Sequence, residues 1–107
     1  MVKKRKIVRF NNFGHVLATR KLGRQIREEI IVANFKESTV VIFDFRNVEL
    51  LTHSFADECI GKILLDLDMV RFKKLTRFIN YNSKIEFQII SSINQNIEIK
   101  MNTVQNM

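Results

Sequence analysis

A nearly continuous apolar run occupies the middle of the chain. Residues 39–45 read Thr-Val-Val-Ile-Phe-Asp-Phe, and residues 46–53 lead from this run to a serine that precedes a second apolar pattern. A run of this kind is typical of a strand that is covered on both faces. We expect alternate side chains to divide between the two faces, with Val41, Phe43 and Phe45 on one and Val40, Ile42 and Asp44 on the other.

Two segments carry apolar residues at helical spacing. Residues 19–34 begin with a threonine of the N-capping type, and residues 55–70 follow Ser54, which we interpret as the N-cap, with Asp57 three residues later. The first helix has a basic side opposite its apolar face, and the second places its acidic residues outside its apolar stripe. The apolar face of the first helix consists of Leu22, Ile26, Ile30 and Ala33, and its basic side of Arg20, Lys21, Arg24 and Arg27.

The two ends of the chain are read from shorter patterns. Residues 6–10 and 15–18 flank a turn-forming Asn-Asn-Phe-Gly and predict an N-terminal hairpin. Residues 75–80 resemble a further strand, and Ser83 with Glu86 predicts a capping box that opens a last helix. Residues 83–101 also alternate in part as a hairpin would, and we favour the helix.

The order is therefore strand, strand, helix, strand, helix, strand, helix. Alternation of strands and helices predicts an α/β fold, with a four-stranded, mainly parallel or mixed sheet, an N-terminal hairpin and three helices. The length of 107 residues predicts a single domain over residues 1–107. Ligands of such sheets bind beyond the carboxyl ends of the strands, which is where residues 47–54 are expected.

Composition narrows the class of protein. Hydrophobic residues make up 46% of the chain, which supports a core without metal or disulfide, and the single Cys59 has no partner for a bridge or a zinc site. No targeting or membrane-spanning segment is recognised, so we expect a cytoplasmic protein. The net charge of +7 indicates an acidic partner, nucleic acid or the anionic membrane surface, or else a role in solubility.

The chain contains no recognisable catalytic constellation. Asp57 and Glu58 are adjacent and point in different directions on a helix, and Cys59 lies on the apolar stripe, where a buried structural thiol is expected. His53 is a lone loop histidine, and no glycine-rich phosphate loop is present. We therefore expect neither an enzyme nor a bound cofactor or metal.

The order of elements, with a strand that leads into a serine-capped helix, resembles the STAS domain of sulfate transporters and anti-sigma factor antagonists. The local residue pattern is more similar to a STAS-like family of bacterial domains, and this resemblance covers about residues 14–80. It is carried by Leu-Ala-Thr-Arg at residues 17–20, by Asp44-Phe45 at the strand end, and most specifically by Ser-Phe-Ala-Asp-Glu at residues 54–58.

The resemblance implies a regulatory role that depends on Ser54. In anti-sigma factor antagonists, a serine at this helix start is phosphorylated by a partner that is both a kinase and an anti-sigma factor. A helix start accommodates a phosphate because its N–H groups are unpaired. The alternative is that Ser54 serves only as an N-cap.

Two functions remain open at this point. The first is a protein-interaction module that binds a histidine-kinase-like ATPase or an anti-sigma factor; its candidate residues are Asp44, Thr52, His53, Ser54, Phe55 and Asp57. The second is a small basic nucleic-acid-binding domain; its candidate residues are Arg20, Lys21, Arg24 and Arg27.

Overall fold

The computed structural model describes residues 4–36 and 38–105. These residues form five strands and four main helices in an α/β arrangement. The strands are β1 (Lys4–Arg9), β2 (Val16–Leu17), β3 (Thr39–Asp44), β4 (Leu50–Leu51) and β5 (Thr76–Ile79). The helices are α1 (residues 20–34), α2 (residues 53–66), α3 (Met69–Leu75) and α4 (Ser83–Gln105).

The apolar run forms the central strand of a parallel sheet. The strand order is β1-β3-β5, and β3 is paired in parallel with both neighbours. Val8, Phe43 and Phe78 lie side by side in this register. The buried face continues into Phe10, whose ring stacks on that of Phe45 with a centroid distance of 4.5 Å. The parallel strand predicted over residues 39–45 is therefore confirmed.

The opposite face of this sheet is covered less completely. Val41, Phe43 and Phe45 are fully buried, whereas Ile42 and Asp44 are half-buried. The flanking Ile7 and Ile79 are 41% and 40% exposed. The predicted division of β3 between two faces thus holds, with one face much better covered than the other.

The predicted N-terminal hairpin is wrong. Residues 10–14 do turn the chain, but β2 does not return along β1. Instead β2 pairs in parallel with β4, a strand that the sequence pattern did not reveal, and the two form a separate two-stranded sheet. The architecture is therefore three strands plus two, where four strands in one sheet were expected. Two-residue strands carry too little alternation to be recognised from sequence.

A fourth helix corrects the predicted end of α2. The helix was expected to continue to residue 70, but Leu67 adopts an extended backbone (φ −117°, ψ 130°). Asp68 then begins α3, because its carboxylate accepts a hydrogen bond from the Arg71 N–H at 2.9 Å. Helix α4 confirms the helical alternative over the hairpin for residues 83–101.

Both α1 and α2 contain a π-helical turn. Helix α1 runs as Arg20–Ile26, then as a π-helix over Arg27–Ile31, and closes with a 3₁₀ turn at Val32–Asn34. Helix α2 runs as His53–Ala56, Asp57–Gly61 in π form, and Ile63–Asp66. π-turns are rare and occur often at functional sites. Of the helices described, none is both long and apolar enough to cross a membrane.

Candidate functional site

The second sheet brings the starts of α1 and α2 together. Leu17 pairs with Leu51, and a threonine that caps a helix follows each strand, Thr52 directly after β4 and Thr19 one residue beyond β2. Thr19 accepts a hydrogen bond from the Leu22 N–H, and Thr52 accepts one from the Phe55 N–H, both at 3.2 Å. The Thr52 hydroxyl also donates to the Ala18 carbonyl at 2.6 Å. The two helix N-termini are therefore neighbours, joined by a direct hydrogen bond.

Ser54 does not cap α2, which corrects the prediction. The cap is Thr52, whose backbone is extended (φ −74°, ψ 161°), so the helix begins earlier than the pattern suggested. Ser54 is the second helical residue and is half-buried. Within the described part of the chain its hydroxyl takes part in no hydrogen bond, and it is therefore available for another role. His53, immediately before it, is exposed.

The N-cap of α4 also lies before the predicted residue. The predicted cap was Ser83, but Asn82 accepts the hydrogen bond from the Ile85 N–H at 2.9 Å. The Asn82 amide also donates to the Glu49 carbonyl at 3.0 Å and so ties the start of α4 to the loop after β3.

Phe55 belongs to the core. Its side chain is fully buried and meets the Phe10 ring edge-on at a centroid distance of 6.4 Å. Phe55 was a candidate for partner contact from the sequence, and its full burial removes it from the accessible surface. It can shape a partner surface at Ser54 only by holding the helix in place.

Asp57 and Glu58 lie in an ion-pair cluster between α1 and α2. The sequence pattern placed both outside the apolar stripe, yet both are buried, with 7% and 8% of their surface exposed. We call the group the ion-pair cluster; its members are Arg20, Arg27, Asp57, Glu58 and Lys62. The π-turn begins at Asp57, and it places the two adjacent carboxylates against the same side chain of α1.

Arg20 contacts both carboxylates. Its guanidinium lies 2.7 Å from Asp57 and 3.3 Å from Glu58. Glu58 also accepts from the Lys62 ammonium at 2.6 Å. Arg27 donates to the Glu58 backbone carbonyl at 2.6 Å and lies 3.4 Å from its carboxylate. Two of the four candidate nucleic-acid residues thus hold the two helices together.

The electrostatics of the cluster keep its acids ionised. Burial raises the pKa of Asp57, but hydrogen bonds from Arg20 and Asn96 outweigh it, so the pKa is lowered overall. The hydrogen bond from Lys62 is the main reason that the pKa of Glu58 is lowered. A general acid or base works best with a pKa near the working pH. These carboxylates therefore suit a structural ion pair and not proton transfer.

A close approach of α1 to α2 underlies this contact. A Cβ atom added to Gly23 would lie 3.0 Å from the Phe55 carbonyl oxygen and 3.1 Å from the Glu58 Cβ. Cys59 is fully buried in the same helix pair, and burial raises the pKa of its thiol. The predicted buried, structural thiol is thus confirmed.

Lys21 and Arg24, the remaining candidates of the basic side, are exposed. They form no ion pair with any residue that the structure describes. Arg20 is also partly exposed, with 48% of its side-chain surface accessible, although its guanidinium is engaged by Asp57.

Asp44 stabilises the end of the sheet. Its carboxylate accepts from the Arg46 N–H at 3.0 Å and from the Asn80 amide at 2.9 Å, so it joins the ends of β3 and β5. Burial raises the pKa of Asp44, and these hydrogen bonds more than offset it, so that its pKa is lowered. The hydrogen bonds of Asp44 are thus structural. Among the described contacts, none joins Asp44 to Ser54.

An open cavity of about 700 Å³ lies beyond this sheet end. Its lining includes Asn47, Glu49 and the start of α4, in the region expected for ligands of a parallel sheet. Ser54 does not line it. Among residues 4–36 and 38–105, no group of three or more metal-ligating side chains lies close enough to hold a metal.

Comparison with known families shows which family the chain belongs to. Residues 23–86 match the family model described as a STAS-like domain of unknown function (DUF4325). The matched segment begins at Gly23, contains all of α2 and ends in the first turn of α4. No curated protein and no solved structure matches the chain significantly.

Proposed function

Because the chain belongs to the family of STAS-like domains of unknown function, we propose that it is a regulatory module that binds a protein partner at the start of α2. The proposed contact surface is formed by Thr52, His53 and Ser54. The activity is recognition and not catalysis. We place the module in the cytoplasm, because its one cysteine is a free thiol.

The free hydroxyl of Ser54 carries this proposal. A serine near a helix start is most often a cap, and that use would explain its presence fully. Here Thr52 makes the capping hydrogen bond at 3.2 Å. Ser54 is thus a partly accessible hydroxyl at a helix start without a structural hydrogen bond among the described residues, which favours a functional role.

Charge at this helix start also favours a phosphate on Ser54. Asp57 and Glu58 would repel a phosphate if they were unpaired. In the ion-pair cluster they are joined by three cations, so the group of two acids and three bases carries a net charge of +1. The α2 N-terminus adds partial positive charge. We therefore propose that Ser54 is the phosphoacceptor of the module.

The proposed partner is a histidine-kinase-like ATPase or an anti-sigma factor of that fold. This class follows from the family's relation to anti-sigma factor antagonists. A kinase assay with labelled ATP and a kinase-like ATPase of the same organism tests it directly. We expect one phosphate on the wild type and none on Ser54→Ala. Phosphate on Ser54→Ala, or transfer to another residue in the wild type, would refute Ser54 as the acceptor.

Binding without transfer is tested by calorimetry. Ser54→Asp places charge at the proposed contact, while an acidic residue is tolerated in the first turn of a helix. We expect it to weaken partner binding by at least about tenfold, because unpaired charge in a desolvated interface is costly. The control is the exposed pair Lys21→Glu/Arg24→Glu, which should bind within about threefold of the wild type. Weaker partner binding by Lys21→Glu/Arg24→Glu than by Ser54→Asp would refute the proposed surface.

The nucleic-acid alternative is separated by its salt dependence. Arg20 and Arg27 are engaged in the ion-pair cluster, which leaves Lys21 and Arg24 as the unpaired cations of that side. Binding to phosphates releases counterions, so affinity for DNA or RNA falls steeply with salt. Tight, salt-sensitive binding of DNA or RNA that Lys21→Glu/Arg24→Glu abolishes would establish the alternative.

A further inference from the structure

Helix α4 has a second apolar face that is turned away from the core. Its inner side is buried through Ile85, Ile89 and Asn96. On its outer side Phe87 is 67% exposed, Ile90 51% and Met101 57%. We call this row the outer seam; its members are Phe87, Ile90, Asn94, Ile97 and Met101, of which Ile97 is half-buried and also packs against the core.

The spacing of the outer seam is that of a helix-pairing surface. Successive members are separated by three, four, three and four residues, which keeps them on one face of a helix. Exposed apolar residues that are scattered singly need no explanation. A row of them with one polar residue at its centre is instead typical of an interface.

We propose that the outer seam pairs with the outer seam of a second copy of this chain. Asn94 lies seven residues after Phe87 and seven before Met101, so the seam reads nearly alike in both directions. A two-fold axis at Asn94 would place the two Asn94 amides together. A single polar asparagine within an apolar seam is a known device that fixes the register of paired helices.

Charge favours an antiparallel pair. Glu86 and Lys100 flank opposite ends of the seam, and an antiparallel pair brings each Glu86 near Lys100 of the second copy. Glu86 forms no ion pair with the described residues of its own chain. The Lys100 ammonium donates to the Leu64 carbonyl at 3.2 Å and keeps further N–H donors for a carboxylate.

The area available is adequate for a specific but reversible dimer. Phe87, Ile90 and Met101 together expose roughly 300 Å² of apolar surface per chain, by areas typical of such side chains. Two copies would thus bury roughly 600 Å² from these residues alone, an area typical of a weak and reversible interface. Two heptads are short for an isolated coiled coil, but the core already holds α4 helical, so pairing carries no cost of helix formation.

Sedimentation equilibrium over micromolar to submillimolar concentrations tests the pairing. We expect a reversible dimer for the wild type, and a dissociation constant at least about 30-fold weaker for Phe87→Asp, the factor of an interface hot spot. The control is Val70→Asp on α3, which is 78% exposed and lies off the seam. It should dimerise as the wild type does. Circular dichroism should show both variants folded.

Two outcomes would overturn the proposal. The first is a monomeric wild type throughout the concentration range, which would assign the seam to another partner. The second is equal weakening of the dimer by Val70→Asp and Phe87→Asp, which would place the contact elsewhere.

Cysteine crosslinking tests the orientation, since Cys59 is buried and does not compete. A mixture of Phe87→Cys and Met101→Cys chains should form the mixed disulfide in preference to either homodimer. Preferred crosslinks of each variant to itself would contradict the antiparallel pair.

Discussion

Asp57 connects three helices with one carboxylate. From its position in α2 it accepts a hydrogen bond from Arg20 in α1 at 2.7 Å and one from Asn96 in α4 at 2.8 Å. Asn96 is 1% exposed and donates its other amide hydrogen to the Ser92 carbonyl at 2.8 Å. Asp57 therefore satisfies a buried amide and anchors the helix that carries Ser54.

Replacement of Asp57 should destabilise the fold to a moderate extent. In Asp57→Ala the Asn96 amide loses an acceptor in a buried site, while Arg20 is exposed enough to recover water. We expect a loss of about 1–3 kcal/mol in the free energy of unfolding, the cost of an unsatisfied buried group. Urea denaturation measures it. Asp66→Ala, exposed on the same helix, is the control, and equal midpoints for the two variants would show that the network contributes nothing.

Acid should weaken the fold through the same carboxylates. The pKa values of Asp57 and Glu58 in the folded protein lie below their ordinary values of 3.8 and 4.5. Such carboxylates stabilise the fold fully when the pH is above their ordinary pKa values. This stabilisation is lost as the pH falls through the lowered pKa values of the folded state. We expect the urea midpoint to be steady near neutral pH and to fall below about pH 5.

The variant Asp57→Asn/Glu58→Gln identifies the source of this pH dependence. It lacks both groups, so its midpoint should fall less steeply with acid than that of the wild type. Asp44 keeps part of the slope because its pKa is lowered as well. Parallel curves for the variant and the wild type would exclude the ion-pair cluster as the cause.

At the level of single residues the sequence identified the right segment and the wrong cap. Thr52 and Ser54 are both good capping residues, and the choice between them depends on a shift of the helix start by only two positions. The buried state of Asp57 and Glu58 was not predictable, because it depends on a π-turn and on Arg20 from another helix. The burial of Asn96 had one indication in the sequence, because Asn96 lies at helical spacing from Ile85, Ile89 and Ser92.

The caps of α2 provide a test at the level of the element. Thr52 accepts from Phe55 and donates to Ala18, whereas Ser54 makes no side-chain bond to a described residue. Thr52→Ala should therefore cost about 1–2 kcal/mol. Ser54→Ala should change stability by less than about 0.5 kcal/mol. Thermal and urea unfolding measure both, and a larger loss for Ser54→Ala would return the serine to a capping role.

The α1–α2 contact gives a second test of the same kind. Alanine is favoured over glycine within a helix by about 1 kcal/mol, so Gly23→Ala would stabilise an isolated α1. Here the new Cβ would lie 3.0 Å from the Phe55 carbonyl and 3.2 Å from the Cys59 nitrogen, both backbone atoms.

We expect a net loss of about 1–3 kcal/mol for Gly23→Ala, as for other overpacked sites. Gln25→Ala, exposed on the same helix, should be neutral. A raised melting temperature for Gly23→Ala would show that the two helices can separate easily.

The elements with long patterns were predictable and the short ones were not. The apolar run of residues 39–45 predicted β3. The helical spacing of apolar residues after Thr19 predicted α1, with Thr19 as its cap. Helix α3 was missed although Asp68 is a good N-cap, because the apolar pattern of α2 continues through it. β4 has two residues, and without it β2 had no visible partner except β1.

At the scale of the whole molecule, the parallel pairing of β2 with β4 determines where the proposed contact surface lies. It directs α1 and α2 away from adjacent strands, so that their N-termini and the partly exposed Ser54 form one corner of the domain. Arg20 and Arg27 pair with buried acids, while Lys21 and Arg24 are exposed and form no ion pair with the described residues.

Hydrogen exchange with and without the partner is the most direct test of the proposed surface. The first N–H groups of a helix have no intrahelical acceptor, and at α2 the Thr52 cap bonds that of Phe55. Those of His53 and Ser54 should therefore exchange quickly in the free protein and report a bound partner sensitively. With a saturating histidine-kinase-like ATPase of the same organism, we predict that protection is strongest in residues 47–57. Protection centred instead on residues 20–27, or none at saturation, would contradict the account.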